Sequence, residues 1–180
     1  MKKVIVFLAD GFEEIEALAT VDILRRANIK TDTCTIDHEY VKGAHNITVK
    51  ADIKISDIID EYDMIVLPGG MPGTLNLMGN EKLLNLIKDY NKNNKFIAAI
   101  CAAPKVLNKA DVLSGKKVTS YPGALDNIKG FIYSEDKVVK YENIITSRGP
   151  GTAIEFALKI VNILQGKDTE KSLREDLILK

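Results

Sequence analysis

The stretch FIAAICAAP, residues 96–104, sets five apolar residues directly ahead of a cysteine and follows it with small residues and a proline. An unbroken apolar run of that length is what a strand covered on both faces of a parallel sheet shows. Cys101 comes where that strand would end, and Ala98, Ala99, Ala102 and Ala103 surround it. Small neighbours are what a sharp strand–nucleophile–helix turn requires, because bulky ones clash in its strained backbone. A helix beginning near Ala102 would set the thiol at a positive dipole end, which favours thiolate. The competing reading is a buried structural cysteine, since free cysteine is among the most buried residue types. The position after a fully buried strand favours the functional one.

The same form recurs outward along the chain. VIVFLA (4–9), DTCTI (32–36) and MIVLP (64–68) read as further strands. Ile15 to Ala27 reads as a helix with Ile15, Leu18, Val21 and Leu24 as its buried stripe. Glu81 to Lys92 repeats the form with Leu83, Leu84, Ile87 and Tyr90, and Ala153 to Leu164 does so again ahead of Gly166. Strand and helix in alternation imply an α/β fold with a doubly wound, mostly parallel sheet. Tyr40 to Ile55 breaks the rhythm: Ile47, Val49, Ala51 and Ile53 alternate, and Gly43 suggests a small antiparallel excursion. A second excursion spans Phe131 to Thr146, with turns expected at Glu135–Asp136 and Glu142–Asn143. Without a linker, repeat or low-complexity segment, residues 1–180 read as a single domain.

Composition narrows the partners. Twenty-five Lys and Arg balance twenty-five Asp and Glu over 180 residues, which argues against nucleic acid or an anionic membrane as partner. The N-terminal MKKVIVFLADGFEE has an apolar run only from Val4 to Ala9, too short and too acidic for an export signal. A cytoplasmic location is therefore expected, where both cysteines stay reduced. Two cysteines and two histidines, with no CxxC or HxxxH spacing, give no expectation of a metal site.

Ligands of open α/β sheets sit beyond the carboxyl ends of the strands. Four loops should meet there: Asp10 to Glu16, Pro68 to Gly73, Cys101 to Pro104 and Ser147 to Thr152. Glu13 and Glu14 are explained by a helix N-terminus, which suits acidic residues. Glu16, if it points inward, would as a protonated carboxyl donate a hydrogen bond to the Cys101 sulfur. Gly69-Gly70 is either a plain turn or a source of backbone N–H groups for an oxyanion. The Arg148 to Gly151 loop suggests an anion-binding turn. It is neither a Walker loop nor a GxGxxG fingerprint, so no nucleotide is expected.

Five segments together are similar to the ThiJ/PfpI family, in the branch of the parkinsonism-associated protein deglycase within the class I glutamine amidotransferase-like superfamily. They are GxEExE (11–16), VDILRRA (21–27), VLPGG (66–70), AAICAAP (98–104) and TSRGPGTAIEFAL (146–158). The resemblance implies a flavodoxin-like three-layer sandwich and a homodimer. It makes Cys101 the nucleophile, Glu16 its hydrogen-bonding carboxylic acid, and the N–H groups of Gly70 and Ala102 the oxyanion hole. Gly69, Tyr121, Arg148 and Pro150 would line the substrate site. The activity implied is cofactor-free conversion of a small reactive aldehyde, methylglyoxal to lactate, with deglycation of glycated small molecules as a further claim. The alternative is a redox sensor acting through oxidation of Cys101 without turnover.

One departure bears on mechanism. Ala102 and Tyr121 stand where peptidase relatives carry histidine, which leaves no imidazole base for peptide cleavage. Of the two histidines, His38 reads as a solvated loop residue. His45 falls where relatives of this branch place an arginine, and with Arg26 it is expected to frame an anion pocket near Cys101 across the dimer.

Overall fold

The computed structural model describes residues 1–59 and 61–179. The first half of the chain forms β1 (Lys3–Leu8), α1 (Glu14–Arg26), β2 (Lys30–Thr35), β3 (Tyr40–Lys42), β4 (Thr48–Lys50), β5 (Ile53–Lys54) and β6 (Met64–Leu67). Then come α2 (Gly73–Met78), α3 (Glu81–Lys92), β7 (Phe96–Ile100), α4 (Pro104–Lys109) and β8 (Lys117–Val118). The chain closes with β9 (Ile132–Tyr133), β10 (Val138–Tyr141), β11 (Ile144–Ser147), α5 (Ala153–Gln165) and α6 (Lys167–Asp176).

The main sheet runs β10-β11-β7-β6-β1-β2-β5. Every pairing in it is parallel except β10 with β11. Alternate residues of each strand feed opposite layers, as the pleat dictates. Val4, Val6 and Leu8 pack with Leu24 of α1 and Phe156 and Val161 of α5. Ile5 and Phe7 pack on the other side with Leu83 and Ile87 of α3 and Leu107 of α4. Each such side chain taken fully from water contributes about 1.5–3 kcal/mol. The doubly wound, three-layer architecture expected from the alternation is the one observed, and the parallel strands β1, β6, β7 and β11 deliver four loops to one edge.

Both excursions form. β3 and β4 make a separate antiparallel hairpin, and β10 turns into β11 through Glu142, which takes a left-handed φ of 50°. The tail of the first excursion differs: β5 joins β2 in parallel at the sheet's edge.

The stripe expected on α1 is wrong at its start. Ile15 is 57% exposed, and the buried face is Ala17, Thr20, Val21 and Leu24. Repeated steps of three drift around a helix of 3.6 residues per turn, so Ile15 and Leu24, about two and a half turns apart, lie on opposite sides. Helix α6 has no apolar stripe to announce it, with Leu173 its buried residue. It is held instead by Arg174, whose guanidinium reaches Glu155 of α5 at 2.5 and 3.1 Å and Glu170 at 3.0 Å. Among the described residues no helix is long and apolar enough to cross a membrane.

Candidate active site

Cys101 stands between β7 and α4 with φ of 63°, a left-handed conformation that an L-residue adopts only when its surroundings hold it there. Two backbone hydrogen bonds do so. Its N–H donates to the Ser147 carbonyl at 2.9 Å, and its own carbonyl accepts the Tyr121 N–H at 2.9 Å. The side chain is half-buried. Ser147 is fixed in turn: its Oγ bonds the Lys137 carbonyl at 2.8 Å and Thr152 Oγ1 at 2.7 Å.

Helix α1 brings Glu16 to the sulfur. Glu16 lies on the buried face with Thr20 and Ile23 and is only 1% exposed. Its Oε2 accepts the Gly69 N–H at 2.7 Å. Oε1 is buried without a hydrogen-bond partner among the described residues, and the Cys101 thiol is the titratable group beside it that couples to the carboxyl. Burial pushes Glu16 up to about 7, against the opposing pull of the Gly69 N–H and the thiol.

Backbone N–H groups of Ala102 and Gly70 lie near the Cys101 sulfur and favour its charged form. Gly69 is what allows this closeness. A Cβ there would lie 2.7 Å from Cys101 Cβ, 2.9 Å from Glu16 Oε2 and 3.0 Å from Ala102 N. The loop is anchored by the Glu13 N–H, which donates to the Gly69 carbonyl at 2.9 Å.

The resting thiolate expected from the helix terminus is corrected. Burial, then the charge of Glu16 beside it, push the thiol up to about 12, outweighing the Ala102 and Gly70 N–H groups. Helix α4 begins only at Pro104 and runs six residues, so it brings a weak dipole to a half-buried sulfur. Glu16 and Cys101 act as a coupled pair. Between about 7 and about 12 the pair holds one proton, which either Sγ or Glu16 carries.

Other expected site residues are placed less directly. Tyr121 meets Cys101 through its backbone, and its half-exposed ring packs on Gly149, 3.2 Å from where a Cβ would stand. Arg148 turns its Nη1 to the Glu135 carbonyl at 3.1 Å. It borders a cavity of about 380 Å³ shared with Phe131 and Tyr133. Pro150 opens a short 3₁₀ turn, and the Gly149 N–H of that loop is taken by Thr152 Oγ1 at 3.1 Å.

A pocket of Arg26 and His45 is not assembled within one chain. Arg26 ends α1, about 18 Å along the axis from Glu14, and pairs with Asp22 at 2.7 Å. His45 instead turns its ring to carboxylates, with Nδ1 at 2.8 Å from Glu14 and 3.6 Å from Glu13.

Glu14 does more than suit a helix terminus. It is 5% exposed and braces the β3–β4 connection, its Oε1 accepting the His45 N–H at 2.7 Å. The paired acids of the GxEExE segment and Gly43 were the available signal.

Cys34 lies fully buried on β2, and burial pushes its thiol up to about 12. A bulky maleimide is therefore expected to label the folded protein at Cys101 alone, with mass spectrometry of the digest finding Cys34 unmodified until denaturant is added.

The DJ-1/PfpI family model matches residues 2–163. A Drosophila melanogaster relative, protein dj-1beta, is 42% identical over 183 residues, covering 99% of this chain and 97% of that one. A Caenorhabditis elegans relative named glutathione-independent glyoxalase DJR-1.2 is 36% identical over 170 residues, covering 93% and 90%. The solved structure of oxidized Toxoplasma gondii DJ-1 superposes with a TM-score of 0.95 at 37% identity, covering 99% of both chains.

Proposed function

The chain belongs to the DJ-1/PfpI family, and from that footing we propose that it is a cysteine-dependent enzyme converting a small 2-oxoaldehyde, such as methylglyoxal, to the 2-hydroxy acid. The observation that carries this reading is the buried Glu16 carboxyl set beside Cys101 around Gly69, with an unpartnered Oε1 and the Gly70 and Ala102 N–H groups near the sulfur. The glyoxalase name of the Caenorhabditis elegans relative supports the substrate class.

The steps follow from those groups. Glu16 as carboxylate accepts the Cys101 proton while Sγ adds to the aldehyde carbon. The aldehyde oxygen is met by the Gly70 and Ala102 N–H groups and then takes the proton, giving a hemithioacetal. Glu16 next removes the proton on that carbon and delivers a solvent-exchangeable proton to the neighbouring one, while the hydroxyl proton on the first carbon passes to the ketone oxygen. The first carbon is thereby oxidised to a thioester and the ketone reduced to a hydroxyl, with no external redox partner. Water hydrolyses the thioester, releasing 2-hydroxy acid and the thiol.

Glu16→Gln tests the assignment. It keeps the shape and the Gly69 contact but cannot take a proton, so kcat/KM is expected to fall by about 10²–10⁴. Glu16 gains its charge as pH rises through about 7. In buffer freed of divalent cations, the wild-type kcat/KM should therefore climb below that pH and level above it. Glu16→Gln should lack this limb, and a variant that retained it would remove Glu16 from the mechanism.

We carry the family's homodimer to this chain on the same reading. The exposed apolar side chains of Ile15, next to Glu14 in the chain, and of Ile47, whose N–H reaches Glu14 Oε1, support it. Sedimentation at twice the chain mass is the expected result.

A further inference from the structure

We propose that Glu13, Glu14 and His45 form a binding site for a divalent transition cation, with Zn²⁺ the ion best matched to its donors. No sequence spacing announces it, because the β3–β4 connection carries His45 back to the start of α1 from 31 residues further along the chain. One ligand atom from each of the three residues lies within 4.8 Å of the others.

The spacing fits a small ion. Donors about 2.0–2.2 Å from a tetrahedral Zn²⁺ stand about 3.3 Å apart. His45 Nδ1 lies 2.8 Å from Glu14 Oε2 and 3.6 Å from Glu13 Oε2, which brackets that value. Small shifts of the His45 ring, which is 68% exposed in the single chain, would equalise them. On binding, Nδ1 gives its proton to solvent and turns its lone pair to the metal. A fourth position is left to water.

Two further features separate this group from an ordinary acidic surface. Glu13 is 8% exposed, yet its carboxylate accepts no hydrogen bond among the described residues and meets only His45, at 3.6 Å. A largely buried carboxylate whose ion-pair partner stands at 3.6 Å has room for a closer cation. Glu14, by contrast, is already oriented: Oε1 accepts the His45 N–H, leaving Oε2 to point at the ring. Such outer hydrogen bonds are how ligating groups are aimed. The loop folds tightly onto that carboxylate, since a Cβ at Gly43 would lie 2.3 Å from Glu14 Oε1.

The donor set selects the ion. Imidazole with two carboxylates suits Zn²⁺ or Co²⁺, whereas Ca²⁺ takes six to eight oxygen ligands and Mg²⁺ favours an octahedral oxygen shell. All three donors come from one chain, on the face that the proposed homodimer would use.

The test uses the full chain after chelator treatment, titrated with Zn²⁺ by calorimetry and with Co²⁺ by visible absorption. One ion per chain is expected, with a cobalt spectrum free of sulfur charge-transfer bands. Binding should weaken at least about tenfold in His45→Ala and in Glu13→Gln and stay unchanged in Cys101→Ser. Glu13→Gln preserves side-chain shape, so it carries the test if His45→Ala loosens the hairpin. Absence of saturable binding, wild-type affinity in both site variants, or loss of binding in Cys101→Ser would each overturn the proposal. The readout is binding, so it stands or falls apart from turnover.

Discussion

Cys101→Ser is expected to lose at least about 10³-fold in methylglyoxal turnover while keeping the fold. The substitution exchanges one atom for a smaller one at a half-buried position, and the backbone bonds to Ser147 and Tyr121 that hold its left-handed φ are untouched. A stability change within about 1 kcal/mol follows, seen as a nearly unshifted thermal melt. The chemistry does not survive. A serine hydroxyl is far less acidic than a thiol, and a carboxylate that titrates near 7 is too weak a base for it. Steady-state rates beside a melting curve check both halves. A variant with wild-type turnover would place the nucleophile elsewhere.

Gly70→Ala has the largest effect expected on stability. Gly70 takes φ of 92°, where an L-residue is strained by about 1–2 kcal/mol. Its Cβ would also lie 2.4 Å from Glu13 N and from Gly11 O, both backbone atoms of the loop beside it. Backbone cannot swing aside as a side-chain tip does, so the 11–14 and 69–73 loops must part. A loss of about 3 kcal/mol or more is expected, lowering Tm by about 6–12 °C for a chain of this size. Activity should fall as well, because the Glu13–Gly69 hydrogen bond positions the N–H that holds Glu16. Gly69→Ala makes the contrast: its Cβ meets Cys101 and Glu16, so activity should fall further than stability. Calorimetric melts and rates of the two variants measure that difference, and a Gly70→Ala protein melting with wild type would contradict the interlocked loops.

The strands were legible because buried parallel strands are apolar throughout, and the cysteine turn because Ala98, Ala99, Ala102 and Ala103 flank Cys101. Glu16 was legible as a candidate but not as an inward one, since orientation on α1 depends on which face meets the sheet. The same uncertainty misplaced Ile15. Helix α6 was silent in the hydrophobic pattern because ion pairs from Arg174, rather than an apolar stripe, tie it to α5. The protonation of Cys101 was misjudged for a further reason. A helix terminus is visible in sequence, but the burial that outweighs it appears only when the loops close. Nor does sequence distance reveal that His45 sits on Glu14, because a hairpin supplies that contact.

The most direct test follows methylglyoxal by proton NMR in heavy water with phosphate buffer, with wild-type protein beside Cys101→Ser. Catalytic lactate carrying solvent deuterium at its second carbon, from the wild type alone, is the predicted result, since Glu16 exchanges the proton it moves. No turnover, with Cys101 instead taking up peroxide oxygen stoichiometrically, would contradict the enzyme reading and favour redox sensing.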